Sequence, residues 1–373
     1  MNHIKINKGH DIRLSGVPNQ NIISAPTPKS VSILPNHFRN VKPKLLVKEG
    51  DVVSIGSPLF FDKSKPEVKW ASPASGEIST IQLGARRVVQ KIEIAIKDNQ
   101  KISFPALTQL DLTSLDRNKI LDIILEANLF TLIRQRPFNK VANPKDTPRD
   151  IFISGHDSSP LSVDLQKLIE QERDTFQAGL TVLNKLTEGN VFLTLVSPIQ
   201  FENVLVQTIS GPHPSGNVGI QIHHTKPLNP GEVVWSVNAQ HVITLGRLFK
   251  TGYYDPAIIV SIGGSGATKP TTVKTITGAN IGLLVEEQNL KEPARLISGD
   301  VLTGKTVDNT DFLGFYDSSV SIISDDVKRP FLGMLHPGSS RTKYSLTKAF
   351  LSFGKKTFNF TSSQNGELRA MVP

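Results

Sequence analysis

Within residues 150–210 the chain runs strand, helix, strand, and this succession limits its fold more than any other feature. DIFISGHD (150–157) is an apolar, β-branched run leading into a loop. VDLQKLIEQERDTFQAGLTVLNKLTEG (163–189) carries helical spacing over one or two helices, with Gly189 as a stop, and NVFLTLV (190–196) is again a strand. Two strands joined by a crossover helix lie parallel, and the connection is right-handed in nearly all folds. The stretch therefore predicts a Rossmann-like parallel sheet covered by helices, to which VLVQTIS (204–210) adds a further strand.

Residues 44–96 follow a different rule. Short strands alternate with turns, and after Val89 the apolar residues Ile92, Ile94 and Ile96 keep period two, as a small all-β barrel or sandwich requires. The order V-x-EGD-x-V-x-x-G-x-x-L followed by SP-x-SG-x-I resembles the biotinyl/lipoyl-carrier fold, with Gly50 and Gly76 at its two glycine turns. Lys63 stands close to the place of a carrier's modified lysine. The loop around it reads as longer, with Lys65 and Pro66 inside it, which favours an unmodified barrel used for docking. From Leu115 the period becomes helical: Ile120, Ile123, Ile124, Ala127 and Phe130 share one face of a helix that should stop before Pro137. Beyond Tyr254 the chain is rich in strands and turns again, with one short helix near Ile281 and Gly263, Gly264, Gly278, Gly299 and Gly304 at turns.

A chain of 373 residues exceeds one hydrophobic core. The expected division is 1–100 for a barrel-sandwich domain with a basic N-terminal region, 101–254 for a Rossmann-like domain, 255–330 for a small mixed domain, and 331–373 for a C-terminal segment. The absence of cysteine excludes disulfides, thiolate zinc, thiol nucleophiles and cysteine-ligated iron–sulfur clusters. The net charge of +9 gathers at the ends: eight Lys/Arg against two acids in 1–50, and six against one in 341–373. Such ends suit anionic lipid headgroups or an acidic partner. Nucleic acid is disfavoured, because no basic helix or aromatic stacking motif accompanies the charge. The longest apolar runs, such as IGLLV (281–285), fall short of the roughly 20 residues of a membrane span, and no signal-like apolar stretch opens the chain. A cytoplasmic chain without a transmembrane segment is expected.

Four stretches invite a chemical reading. GPHPSGNVGIQIHH (211–224) has the wrong glycine spacing for a dinucleotide fingerprint, and its prolines remove amides that would cradle phosphate. Read as a turn and strand, it sends His223 and His224 to opposite faces, so hydrogen-bonded structural histidines are expected at His213 and His223 rather than a metal site. IGGSGATK (262–269) lacks phosphate-loop spacing, and GHDSS (155–159) lacks the context of a nucleophile elbow. In RQRPFNK (134–140), Arg134, Arg136 and Lys140 surround Pro137 and Phe138 at the end of an amphipathic helix. A flat apolar ligand with carbonyl oxygens fits there; the competing reading is a helix C-terminus whose cations complement its dipole.

In this order and spacing, IKINKGHDIRLSGVP, LFFDKSKPEVKWASPASGEI, LGARRVVQKIEI, RQRPFNKVANP, GHDSSPLSVD, GPHPSGNVGIQIHH, VVWSVNAQHVITLGRLFKTG, RLISGDVLTGK and GELRAMVP resemble the NqrA subunits of sodium-translocating NADH:quinone oxidoreductases over essentially the whole chain. More distantly the set is similar to the flavin-bearing NADH-binding subunit of complex I and to the C-type subunits of Rnf complexes. The resemblance implies an α/β multidomain fold: a biotinyl/lipoyl-like barrel-sandwich, a Rossmann-like domain, and a β-grasp domain of the soluble-ligand-binding (SLBB) type over 255–330. The chain ends where family members continue into a C-terminal helical region. The flavin-bearing relatives hold phosphate with a glycine-rich loop where this chain has RQRPFNK, so the resemblance implies a subunit that binds neither flavin nor cluster. The holoenzyme uses NADH, FAD, FMN, riboflavin and an iron–sulfur centre to reduce ubiquinone while exporting sodium. A peripheral place on the cytoplasmic face of the bacterial inner membrane follows, docked on the membrane subunit NqrB through the region around LPNHFRNVKPK (34–44). Quinone-site candidates are Arg134, Arg136, Pro137, Phe138, Lys140, His37, Phe38 and Arg39. The alternatives are a flavin- or nucleotide-binding electron-transfer enzyme and a lipoyl- or biotinyl-type carrier at Lys63.

Overall fold

The computed structural model describes residues 2–107, 112, 114–288, 290, 293–325 and 357–362, so most of the expected C-terminal segment lies outside the described residues. The central sheet has seven strands in the order Asn2–Lys5, Leu205–Ser210, Val191–Leu195, Ile151–Ser154, Val234–Asn238, Ile133–Arg136 and Lys140–Val141. The first five run parallel. The last two form a hairpin whose inner strand is antiparallel to Val234–Asn238, so the sheet is mixed. Ile151, Phe152 and Ile153 are all buried, the mark of a strand covered on both faces.

Helices Leu165–Gln171 and Arg173–Asn184 make the crossover, and Ala239–Thr251 follows the Val234–Asn238 strand. The second and third of these pack closely: a Cβ at Gly179 would meet the Val242 carbonyl oxygen at 2.1 Å, and one at Gly246 the Thr175 carbonyl oxygen at 2.0 Å. From Ile151–Ser154 the sheet grows to one side through Val191–Leu195 and Leu205–Ser210, then returns to Val234–Asn238 on the other. A crevice opens outside the carboxyl ends of two strands where the winding reverses in this way.

A six-stranded sheet in the order Lys305–Val307, Ala294–Ser298, Ser319–Ser324, Ala257–Gly263, Thr271–Ile276 and Ile22–Ser24, with the short helix Ile281–Val285, builds the SLBB-type domain. Four-stranded and three-stranded sheets build the barrel-sandwich around Trp70, which stacks on Phe60 at 4.5 Å. The first two strands of the chain belong to neither of these two sheets: Asn2–Lys5 edges the central sheet and Ile22–Ser24 edges the six-stranded one.

The local structure departs from expectation in four places. The helix Arg117–Glu126, capped by Asp116 accepting from the Lys119 N–H, ends before Phe130. Asn128 takes a left-handed φ of 59° just past it, a geometry that stops helices. Phe130 instead lies buried in the 3-10 turn Phe130–Leu132, and Arg134 and Arg136 fall on a strand rather than a helix end. Within GPHPSGNVGIQIHH the helix Val218–Thr225 replaces the expected strand, entered from Asn217 in extended geometry, with His223 and His224 in its last turn. Gly76 lies inside the Ser75–Leu83 strand, where a Cβ would be 1.9 Å from the Ala95 carbonyl oxygen, so its smallness serves a strand crossing and not a turn. Lys65 and Pro66 open the Lys65–Ala71 strand, which leaves only Lys63 and Ser64 in the hairpin turn.

Candidate ligand cleft at the sheet switch point

A cleft of about 240 Å³ opens at the switch point, beside Ser154 and Asn238 at the carboxyl ends of their strands. Arg134 and Arg136 enter it together because alternate residues of a strand share a face. The opposite wall is the start of the Val218–Thr225 helix, with Gly216, Asn217 and Val218. His241, from the helix after Asn238, and Tyr316, from the SLBB-type domain, complete it.

The Arg134 guanidinium carbon lies 4.5 Å from the centre of the Tyr316 ring, and the Tyr316 hydroxyl donates to the Thr131 carbonyl at 2.8 Å. Burial pushes the Tyr316 hydroxyl above its ordinary range. Among the described residues neither Arg134 nor Arg136 forms an ion pair. Burial, with the charges of Arg134 and Arg39 beside it, holds Arg136 down to about 10. Burial likewise lowers Arg134, which Tyr316 and Asp317 partly offset. Asp317, whose burial raises its pKa despite the 2.7 Å hydrogen bond donated by Ser298 Oγ, forms no ion pair with either arginine among the described residues. His241 is 9% exposed; burial, then Arg134, lowers it to about 4, so its ring is neutral at physiological pH. A buried charge without a partner costs several kcal/mol. Here two largely desolvated guanidinium groups are held side by side without an ion pair among the described residues.

The loop Gly155–Ser159 is bound to the Gly211–Gly216 loop. Ser158 Oγ accepts from the Gly216 N–H at 2.8 Å and pairs with His213 Nδ1 at 3.0 Å, while the His213 N–H donates to Asp11. His156 Nε2 lies 3.3 Å from Ser215 Oγ. His213 therefore has a structural explanation that sequence alone did not supply. No group of three or more His, Cys, Asp or Glu among the described residues is placed to hold a metal ion. In IGGSGATK, a Cβ at Gly264 would be 2.1 Å from the Ile322 carbonyl oxygen, so that loop is packed against backbone and offers no open cradle.

The two separately predicted clusters meet here. Arg39 is close enough for its charge to lower Arg136, and the Phe38 ring lies 5.7 Å from Tyr316. Their roles divide, however. Phe38 is only 5% exposed and packs among Trp70, Phe315 and Tyr316, whereas Phe138 is 74% exposed at the turn after Arg136 and lies outside the cleft wall. Pro137 is exposed beside it, and Lys140 is half-buried on the next strand. Burial, then Lys305, lowers His37 to about 4. Lys63 is exposed, but Lys65 Nζ donates to the Val141 carbonyl at 3.1 Å and fastens the hairpin to the central domain. Sequence reasoning missed His156, His241 and Tyr316 as cleft residues. His241 carried a partial signal, since it follows directly on an Asn-capped strand-to-helix junction, and such junctions lie at the carboxyl ends of the strands where ligands bind.

Family models for the NqrA N-terminal barrel-sandwich hybrid domain, the NqrA second alpha/beta domain and the NQRA C-terminal (SLBB) domain match residues 4–97, 115–254 and 259–309. The NqrA subunit of the Na(+)-translocating NADH-quinone reductase of Pasteurella multocida is 39% identical over 99% of this chain and 84% of that relative. The corresponding subunits of Marinomonas sp. and Pseudomonas aeruginosa are 36% and 37% identical over the same shares. A solved NAD+-reducing [NiFe]-hydrogenase covers 61% of this chain and 52% of its own at 10% identity, with a TM-score of 0.40, too loose a likeness to carry an argument.

Proposed function

The chain belongs to the family of NqrA subunits of the Na(+)-translocating NADH-quinone reductase, and from that premise we propose that it serves the complex as a peripheral, cofactor-free docking subunit. The observation that carries this reading is the state of the switch-point cleft. An α/β sheet receives its cofactor there, in pockets of roughly 300–1,000 Å³. In this chain Arg134, Arg136 and Tyr316 occupy that seat, and the cleft they line measures about 240 Å³, below that range. The flavin-enzyme alternative is disfavoured on that ground, and the carrier alternative by the fastening of the Lys63 hairpin through Lys65.

Docking on NqrB at the cytoplasmic face of the inner membrane falls to the basic stretch 34–44. Phe38 is buried under it, which holds Arg39, Lys42 and Lys44 outward on a fixed base. Among the described residues no helix is long and apolar enough to cross a membrane, which accords with a peripheral place. Quinone access would be shaped by Pro137, Phe138, His37 and Arg39 at the cleft rim, with Arg134, Arg136 and Lys140 behind them and Phe38 as their support.

Retention on membranes holding the remaining subunits tests the docking role. Arg39→Glu/Lys42→Glu/Lys44→Glu should release at markedly lower salt than the parent, and unchanged release overturns the assigned surface. Titration with a soluble ubiquinone tests the rim: Phe138→Ala should weaken binding, and equal binding removes Phe138 from it.

A further inference from the structure

We propose that the switch-point cleft is an oxyanion receptor, in which a compact phosphate-type anion sits between Arg134, Arg136 and the amino end of the Val218–Thr225 helix. The proposal goes beyond the docking role and does not rest on the quinone reading.

Four observations converge on it. Arg134 and Arg136 line the same small cavity without an ion pair among the described residues, and the Nε of Arg136 is buried with no acceptor. Guanidinium forks left in this state match the paired oxygens of a phosphate, which they bind in bidentate fashion. The wall facing them is the first turn of an eight-residue helix whose cap residue Asn217 makes no side-chain capping bond, and among the described residues no backbone carbonyl accepts from the N–H groups of Val218 and Gly219. A Cβ placed on Gly219 would meet Arg136 Nη1 at 4.0 Å, so the guanidinium lies over that turn, and helix amides and cation address one space.

The third observation is His241, buried to nine-tenths and lining the cleft: its neutral ring already bonds the Leu132 backbone, and its Nδ1, without a partner among the described residues, is left as an acceptor for the P–OH of a protonated phosphate. The last concerns the carboxylates of the wall, which are already committed. Asp300 accepts from the amides of Leu302 and Thr303 and from the Thr303 hydroxyl, and Asp157 accepts from the Ser159 amide. The positive groups are therefore free for a ligand while the negative ones are tied to backbone. A volume of about 240 Å³ admits such an anion and a few waters, either as free phosphate or as the phosphate of a small monoester.

Phosphorus-31 NMR titration of the purified chain, at constant ionic strength made up with chloride, tests the proposal with inorganic phosphate and glycerol 3-phosphate as probes. Saturable one-to-one binding is expected, weakened at least tenfold in Arg136→Met and partly restored in Arg136→Lys. Equal affinity for the two probes means the ion alone is recognised; tighter glycerol 3-phosphate means the ester tail is also seated. Because Arg136→Met removes a like charge, it should melt in chloride no earlier than the parent. Non-saturable binding, binding equal in Arg136→Met, or an earlier melt of that variant in chloride would each overturn the assignment.

Discussion

Replacing Phe38 by alanine should destabilise the protein in the absence of any ligand. Its ring is 5% exposed and touches four others: Trp70 at 5.0 Å, Phe315 at 5.2 Å, Tyr316 at 5.7 Å and Phe60 at 6.3 Å. Trp70 and Phe60 belong to the barrel-sandwich, and Phe315 and Tyr316 to the SLBB-type domain, while Tyr316 in turn carries Arg134 of the central sheet. Removing a buried Phe costs about 3–5 kcal/mol, cavity included. Two edge-on aromatic partners, each worth about 0.5–1.5 kcal/mol beyond area, place this site in the upper half of that range. At about 2–4 °C per kcal/mol for a unit of 150–250 residues, the melting temperature should fall by about 8–20 °C. Differential scanning calorimetry is the assay, with Phe38→Leu as a partial rescue. A fall of less than about 3 °C would refute the argument, because it would make Phe38 a surface residue open to ligands, as the sequence had suggested.

Acid should also weaken the fold. The rings of His241 and His37 are lowered to about 4 against an ordinary 6.5, so the unfolded chain takes up protons before the folded one. Stability is then full above the ordinary value and declines as pH falls from 6.5 toward 4. At about pH 5 the loss is roughly 2 kcal/mol for His241 and less for half-buried His37. Urea midpoints at neutral and acid pH should show this slope flattened in His241→Asn; an equal slope counts against it. Asp150 is 0% exposed and accepts from Arg149 Nε and Lys226 Nζ, each at 2.7 Å, and from the Asn190 amide at 3.1 Å. Asp150→Ala leaves the buried Asn190 amide contact unmade and takes one carboxylate from Arg149, which keeps Glu232, so it should cost about 1–3 kcal/mol by chemical denaturation, a loss below about 0.5 kcal/mol speaking against it.

What could be read from the chain depended on how locally each choice was made. The crossover unit was legible because Ile151, Phe152, Ile153, Val191, Leu193 and Leu195 are buried in continuous runs, and such runs identify interior parallel strands. The end of the Arg117–Glu126 helix was misplaced because Phe130 keeps the helical phase after the helix has stopped; the signal lay in Asn128. The Val218–Thr225 helix was hidden by an Ile-Gln-Ile alternation that imitates a strand. Within RQRPFNK the residue types pointed to a site, but the pairing of Arg134 with Ser236 that aims them into the cleft is set by a strand a hundred residues away. Tyr316 and Phe38 reach the same place only through packing between domains, which no local pattern encodes.

The placement of the first two strands also has a consequence in time. Asn2–Lys5 pairs with residues 207–210, and Ile22–Ser24 with residues 272–274. At synthesis rates of about 5–20 residues per second, some 10–50 seconds separate the emergence of these strands from that of their partners. During that interval both strands wait with open edges. Both strands are made long before the partners they pair with, so the nascent protein needs their edges shielded until those partners emerge.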